Sequence, residues 1–208
     1  MVRTKGPLLS IAAAGSLGDV LTSSSSKGRS YMKLKSSPKD TRSPRQLSIR
    51  AMVSFLNIHW PELDQEDKDL WNAIAAGRKF SVQNAYLQRN MQRWTTGTAP
   101  SDDPEEWPPD TPSTLFLYSP ALVGRGPRLR VIMNVANNSV AVVFHRDPAN
   151  GFTPSWSNAV HVVKITAGAS VYWHDSPLAS GTYRYKCRVF THHGVFGPSS
   201  TQRTVVMP

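Results

Sequence analysis

Histidines, acids and one cysteine are the side chains here that could do chemistry, and their spacing fits no catalytic or metal site. His192 and His193 form the only adjacent pair among six histidines. Neighbouring residues on a strand point to opposite faces, so this pair suits an exposed loop better than a metal site. His174, Asp175 and Ser176 are adjacent in sequence, which does not make a catalytic triad. No nucleophile elbow, Walker A or HExxH motif occurs. We predict no enzymatic activity, no metal and no cofactor.

The single cysteine, Cys187, cannot form an internal disulfide and lies in an alternating run typical of a strand. In that run Tyr183, Tyr185, Cys187 and Val189 share one face, and basic residues occupy the other face. The alternation predicts that Cys187 is a buried apolar group of a sheet rather than a reactive thiol.

Positive charge is concentrated at the N-terminus of this chain of 208 residues with net charge +10. Residues 1–50 contain ten Lys and Arg against two acids, whereas residues 101–208 contain nine against seven. We predict that residues 1–43 form an extended basic arm, with short strands at Val20–Thr22 and Arg29–Lys35 around the turn SSSSKG. Such an arm suits an anionic surface, either protein or nucleic acid.

The arm and the start of the next region supply the predicted contact residues. The candidates for an assembly interface are Arg29, Tyr31, Lys33, Lys35, Arg42 and Arg45. The candidates for phosphate contacts are Lys27, Arg29, Lys33, Lys35 and Arg50. A two-stranded hairpin is marginal in water, so we expect the arm to gain order against a partner.

Residues 44–94 are predicted to form about three helices. Ser43 and Pro44 are favourable at the cap and first position of a helix, Asp64 and Ser81 can cap the next two, and Pro61 ends the first. The predicted buried stripe of the first helix is Leu47, Ala51, Phe55 and Ile58, with Met52 and His59 beside it. The second helix is predicted to bury Leu70, Trp71, Ile74 and Ala75.

An acidic, proline-rich linker is predicted at residues 95–113, followed by an antiparallel β-sandwich at 114–208. Six runs alternate apolar and polar residues: RLRVIMNV, SVAVVFH, AVHVVKI, ASVYWHD, TYRYKCRVF and QRTVVM. The predicted fold class is therefore an α+β multidomain chain with a basic arm and hairpin, a small helical region and a C-terminal sandwich.

The sandwich sequence resembles a fibronectin type III domain over about residues 127–208. The run LASGTYRYKCRVFTHHGVFGPSS is similar to the F strand, the F–G loop and the start of G, and NNSVAVVFHRDPANG is similar to strand B. Phe144 stands where that family usually has Trp, and Tyr183 or Tyr185 is the candidate for the tyrosine corner. The resemblance implies adhesion, spacing or display rather than catalysis, although fold alone does not fix function.

The N-terminal half resembles segments of uncharacterised phage-borne and bacterial proteins, through GRSYMKLK, SPKDTRSPRQLSIR and the helical W-x-x-L-D-x-x-D-x-x-x-W pattern. That resemblance implies a structural part of a virion. The predicted function is a phage capsid-decoration or minor capsid protein, located in the virion and assembled in the host cytoplasm. Its partners would be other capsid or tail subunits, in several copies, with nucleic acid as a further partner of the arm. No apolar run is long enough to cross a membrane.

Two other classes of function stay open from the sequence. The helical pattern has some likeness to the high-mobility-group box, which would make the chain an architectural DNA-binding protein. A secreted or surface module could instead use Trp156, Tyr172 and Trp173 to stack on sugars, although Tyr172 and Trp173 alternate, so at most one of them faces solvent.

Overall fold

A computed structural model describes residues 15–17, 21–26, 29–34, 43–76, 80–104, 114–117, 121–123, 126–134, 139–165, 170–175 and 178–208. The chain divides into two compact units, residues 1–41 and residues 42–208. Each unit is described separately below. The overall class is α+β, with three helices and antiparallel sheets among the described residues.

The first unit contains a three-stranded antiparallel sheet in the order β1-β2-β3. Its strands are β1 (Gly15–Leu17), β2 (Leu21–Ser26) and β3 (Arg29–Leu34). Leu21 pairs with Leu34 at one end of the hairpin and Ser26 with Arg29 at the other. The serines predicted to form the turn therefore belong to β2, because their backbone groups pair with β3, and β1 adds a strand that the sequence did not predict.

The helices of the second unit begin and end close to the predicted signals. They are α1 (Pro44–His59), α2 (Gln65–Ala75) and α3 (Val82–Thr96), and a 3₁₀ turn at Trp60–Glu62 follows α1. The Ser43 hydroxyl accepts the Gln46 N–H at 3.4 Å, and the Ser81 hydroxyl accepts the Asn84 N–H at 3.3 Å. Asp64 stands at the cap position of α2 without a side-chain hydrogen bond.

The buried stripe of α1 differs from the predicted one. The residues of α1 that are buried are Ser48, Met52, Phe55, Leu56 and His59. Ile58, predicted to be buried, is 62% exposed. The helix packs against several elements, among them the strand Ala159–Lys164, the 3₁₀ turn Trp156–Asn158 and α3, and these contacts together bury a stripe that leaves Ile58 exposed.

The remaining strands form two sheets. They are β4 (Thr114–Leu117), β5 (Ala121–Val123), β6 (Gly126–Asn134), β7 (Ser139–Asp147), β8 (Ala159–Lys164), β9 (Ser170–His174), β10 (Gly181–Thr191) and β11 (Arg203–Met207). The front sheet has the order β11-β10-β7-β8. In the back sheet, β4 and β5 pair along one edge of β6 and β9 pairs along the other. All six predicted strands are present.

The two sheets face each other across an apolar core. Buried side chains from both sheets meet there, with the predicted inward face of β10 among them: Leu129, Val131, Val142, Phe144, Val171, Tyr185, Cys187 and Val189. Burial raises the pKa of the Cys187 thiol to about 12. The predictions of a buried Cys187 and of the core face of β10 are confirmed.

Helix α1 packs on β8 at the other face of the front sheet, and the three helices share a core with that sheet. That core joins Met52, Phe55, Leu56, Trp71 and Trp94 of the helices to Ala141, Val143, Val162 and Phe190 of the sheet. Strand β7 is buried on both faces as a result, with Val142 towards the back sheet and Val143 towards the helices. The helical region and the sandwich, which the sequence separates by a linker, form three layers of one unit.

The run NNSVAVVFHRDPANG, likened to strand B, forms β7 and pairs with β10, the strand likened to F. In immunoglobulin-like sandwiches B and F belong to opposite sheets, so β7 cannot be strand B if β10 is strand F. The two likenesses therefore cannot both hold for these strands. The alternating pattern gives no sign of which partner a strand selects, so the sequence could not reveal this conflict.

Candidate interaction surfaces

The predicted contact residues of the arm fall partly within the described residues. Arg29, Tyr31 and Lys33 occupy alternate positions of β3. Lys27, Lys35 and Arg42 lie outside the described residues. On α1, Arg45 and Arg50 are exposed, and the Arg45 guanidinium lies 5.7 Å from the centre of the Trp156 ring.

A groove runs between α1 and β8, and we call it the α1–β8 groove. Its cavity volume is about 430 Å³. One face of α1 lines it with Leu47, Arg50, Ala51, Ser54, Phe55 and Ile58. Five consecutive residues, 160–164, line the opposite side. Successive side chains of a strand point to opposite faces, so contact with five in a row means that the groove follows the edge of β8, where its backbone lies.

That edge carries backbone groups directed away from the sheet. Among the described strands β8 pairs with β7 only. The Ile165 N–H donates to the Val140 carbonyl at 2.8 Å, which orients the backbone of alternate residues of β8 towards β7. The N–H and C=O of Lys164 therefore point to the open edge. The Lys164 side chain forms an ion pair with Glu62 and so ties this end of β8 to the end of α1.

The outer face of the back sheet carries a basic and aromatic surface, the Arg–Tyr face, made of Arg128, Arg130, Tyr172 and His174. Arg130 pairs with Tyr172 and Arg128 with His174 across β6 and β9. The guanidinium carbons of Arg128 and Arg130 lie 4.8 and 5.5 Å from the centre of the Tyr172 ring, within cation–π range. Tyr172 is 48% exposed, which makes this face a candidate surface for an anionic partner.

A second group of charged residues, the His–Asp cluster, lies where the helices meet the sandwich. The His59 ring contacts Asp102 at 2.9 Å between Nε2 and Oδ1, and the His193 ring contacts Asp103 at 3.1 Å between Nδ1 and Oδ2. Burial, followed by a hydrogen bond to Asp103 and by nearby acidic charge, raises the pKa of the Asp67 carboxyl to about 7. These contacts join α1, α2 and the loop after β10 through residues 102 and 103.

Residues 99–103 thus connect the helices to the sandwich, although they lie within the predicted linker of residues 95–113. The Asn90 side chain exchanges two hydrogen bonds with the backbone of Ser101, at 2.9 and 2.8 Å. The Trp71 indole N–H donates to the Asp102 carbonyl at 2.5 Å. Gly194 has φ +77°, and a Cβ there would lie 3.1 Å from the Ala99 and Pro100 carbonyl oxygens. The close approach of two backbones explains this glycine.

The histidine and aspartate side chains that were considered first for catalysis form structural contacts. Asp175 is buried and binds the Arg146 guanidinium at 2.7 Å and the Tyr185 hydroxyl at 2.8 Å. This arrangement differs from a triad with His174, whose Nε2 lies 3.3 Å from the Gly126 carbonyl oxygen. His192 and His193 are partly buried, so the expectation of an exposed loop pair is wrong, because residues 102 and 103 pack against that loop.

The aromatic residues proposed for sugar stacking do not form one platform. Tyr172 faces solvent on the back sheet, whereas the Trp173 ring packs 5.2 Å from Phe144 and stacks 5.1 Å from His161, measured between ring centres. The expectation that at most one of Tyr172 and Trp173 faces solvent is confirmed. Trp156 lies on the helical side of the front sheet, packed against that core.

Within the part of the chain that the structure describes, no group of three or more His, Cys, Asp or Glu is placed to hold a metal. No helix in that part is long and apolar enough to cross a membrane. No protein-family model matches the sequence, and no curated protein is significantly similar to it.

The α1–β8 groove and the Arg–Tyr face were missed from the sequence. The Arg–Tyr face had a signal, because RLRV alternates arginine with buried residues and SVYWH does the same with Tyr172. The α1–β8 groove had no such signal in the sequence, because it is formed by the way α1 packs against β8.

Proposed function

We propose that the protein is a non-enzymatic structural component of a large assembly, and more specifically a phage virion protein of the capsid-decoration or minor capsid class. In this proposal the basic N-terminal unit docks on neighbouring subunits, while the unit of residues 42–208 projects outward. The observation that carries the proposal is the division of the chain into two compact units, of which one has a large shared core. A body with its own core can stand free, while a small basic sheet is suited to contact another surface.

A fibronectin type III-like identity for the sandwich draws support from two observations. Strand β8 pairs with β7 beside β10 and β11, whereas in constant-type immunoglobulin domains the fourth strand joins the sheet of the first two. The Tyr183 hydroxyl donates to the Ala179 carbonyl at 3.1 Å. This bond from the start of β10, the strand likened to F, to backbone just upstream has the geometry of a tyrosine corner. Such domains serve in display and adhesion, which agrees with an outward-facing role.

The α1–β8 groove offers a second docking site on the body. An extended segment of a neighbouring subunit could add a strand to the edge of β8, with backbone hydrogen bonds giving affinity and α1 giving side-chain contacts. Arg50 at the rim favours an acidic residue in that segment. The groove therefore suits a protein partner that contributes a strand with acidic character.

Nucleic-acid binding is the second candidate function, and the Arg–Tyr face favours it. An exposed aromatic ring beside two guanidinium groups can contact a base while the cations contact phosphates. The high-mobility-group route has less support, because the apolar side chains that would act as wedges, Phe55 and Trp71 among them, are buried against the front sheet.

The test of assembly uses the full-length chain and particles of its phage. The double variant Arg29→Glu, Lys33→Glu reverses two charges of β3, and the control Arg89→Glu reverses one charge at an exposed position of α3. We expect the wild-type chain and Arg89→Glu to sediment with the particles at fixed stoichiometry and the double variant to be released. Equal retention of the double variant, or no association of the wild type, would contradict the proposal. Retention on DNA with a steep salt dependence would favour the second candidate.

A further inference from the structure

A small cavity lies beside the part of the front sheet that the helices leave uncovered. Its volume is about 130 Å³. His145 of β7 and Arg188 of β10 contribute its polar groups, and Trp94, Trp156 and Phe196 contribute aromatic walls. An apolar cavity of about 150 Å³ can hold a benzene molecule, so this space fits a ligand of about one ring.

Arg188 brings a cation to the cavity without a carboxylate to neutralise it. Its Nε donates to the Gly197 carbonyl at 3.2 Å, and its guanidinium carbon lies 4.2 Å from the centre of the Phe196 ring. No acid of the described residues forms an ion pair with it, and burial lowers its pKa. A partly buried cation of this kind is stabilised when an anion binds, and a guanidinium fits a carboxylate through two parallel hydrogen bonds.

His145 contributes a buried acceptor that also lacks a partner. The side chain is 2% exposed. Its Nδ1 lies 3.1 Å from the Ser155 carbonyl oxygen and 3.0 Å from Asn158 Oδ1, and that Oδ1 already accepts the Ser155 N–H. Nδ1 faces two acceptors and must carry the ring proton, so in the neutral ring Nε2 holds a lone pair. Among the described residues Nε2 has no hydrogen-bond partner.

Burial keeps the His145 ring neutral, since it lowers the pKa of the ring to about 4, with the nearby Arg188 charge acting in the same direction. The cavity thus combines a cationic donor, a neutral acceptor and apolar walls. Buried polar groups in native proteins nearly always have partners, so the unpaired His145 Nε2, beside a cavity that Arg188 lines without a neighbouring carboxylate, points to an anionic ligand that carries a donor group.

We propose that this cavity binds a small carboxylate with an apolar ring and a neighbouring hydroxyl or N–H group. The carboxylate pairs with Arg188, the ring lies between Trp94 and Trp156, and the donor group faces His145 Nε2. The same chemistry occurs in a free aromatic acid and at the C-terminus of a polypeptide ending in an aromatic residue. This inference does not depend on the proposed assembly role.

The test titrates the full-length protein and follows the indole N–H signals of Trp94 and Trp156 by NMR. The probe is 3-hydroxybenzoate, with 3-hydroxybenzamide lacking the charge and benzoate lacking the hydroxyl. N-acetyl-phenylalanine and its amide represent a polypeptide end. We expect 3-hydroxybenzoate or N-acetyl-phenylalanine to shift both signals, and each counterpart that lacks a group to bind about tenfold more weakly or worse. Binding of 3-hydroxybenzoate would indicate a free aromatic acid as the ligand, and binding of N-acetyl-phenylalanine would indicate the C-terminus of a polypeptide.

Two variants locate the binding. Arg188→Gln should weaken the carboxylate about tenfold or more. Lys186→Gln is the matched control, because Lys186 lies on the same face of β10 but donates to the Phe152 carbonyl at 2.6 Å and does not line the cavity. Unmoved indole signals, equal binding of the acids and amides, or equal weakening by Lys186→Gln would each overturn the proposal. The comparison of acids with amides on the wild type stays decisive if Arg188→Gln does not fold.

Discussion

Replacing Asp67 by Asn should change how the stability of the protein depends on pH. The pKa of Asp67 is raised from 3.8 to about 7, first by burial and then by the hydrogen bond to Asp103 and the charges of Asp103, Asp102 and Asp64. A carboxyl whose pKa is raised by folding stabilises the folded state below the unfolded pKa, and this stabilisation is lost as the pH rises through the folded pKa. The window for the effect is therefore from about pH 4 to about pH 7.

The size of the effect follows from the shift. Each pKa unit corresponds to about 1.4 kcal/mol, so a fully buried group shifted this far would contribute about 4 kcal/mol. Asp67 is only partly buried, and screening by water reduces the expected effect to about 1–2 kcal/mol. Asn resembles the protonated carboxyl and can still donate to Asp103. Asp67→Asn should thus match the wild type near pH 4.5 and exceed its free energy of unfolding by about 1–2 kcal/mol at pH 8.5.

Urea unfolding at both pH values, followed by tryptophan fluorescence, measures this difference. His59 and His193 contact the same cluster and are present in both proteins, so the difference between variant and wild type isolates Asp67. Asp69→Asn is the matched control, because Asp69 is exposed on the same helix and accepts a hydrogen bond from Gln65 at 2.8 Å. A variant-minus-wild-type difference that is constant with pH, or that shrinks as pH rises, would refute the reasoning.

Two further predictions concern the layers and the groove. Val142→Ala and Val143→Ala shorten equal side chains on opposite faces of β7. Each should lower the free energy of unfolding by about 1–3 kcal/mol in a single transition, because both cores belong to one unit. A separate early loss of helical circular dichroism in Val143→Ala would show that the helices unfold alone. Lys164→Pro removes an N–H from the open edge of β8 as well as the ion pair with Glu62, whereas Lys164→Ala removes the ion pair and keeps the N–H. Lys164→Pro should therefore weaken association with the particle more than Lys164→Ala does. Equal effects of the two variants would exclude strand addition at the edge of β8.

The helix starts and the strands were predictable because the signals for them are local. The hydroxyls of Ser43 and Ser81 accept the N–H three residues later, as the sequence indicates. Alternation in TYRYKCRVF gives the correct inner face of β10. Helix caps and the alternation of a strand depend on residues within a few positions of each other, so the local sequence predicts them.

The packing of the helices on the sheet was not predictable, because both faces of the front sheet are used. Phe190 of β10 belongs to the core with the helices, while Arg188 on the same side borders the cavity. The helices cover only part of the outer face of β10, so its sequence has the same alternation as a strand with one face open to solvent. Ile58 shows the same limit, since α1 has apolar residues for more than one stripe and tertiary contacts select among them.

The layered body restricts where a partner can bind. Because the helices share a core with one face of the front sheet and the back sheet packs on the other, the described strands offer partners sheet edges, the outer face of the back sheet and the small cavity beside Arg188. A partner strand in the α1–β8 groove would contact α1 and β8 together and would hold the helical layer against the sandwich. Binding to the folded state alone raises stability by mass action, so docking at this groove should stabilise the whole body rather than α1 alone.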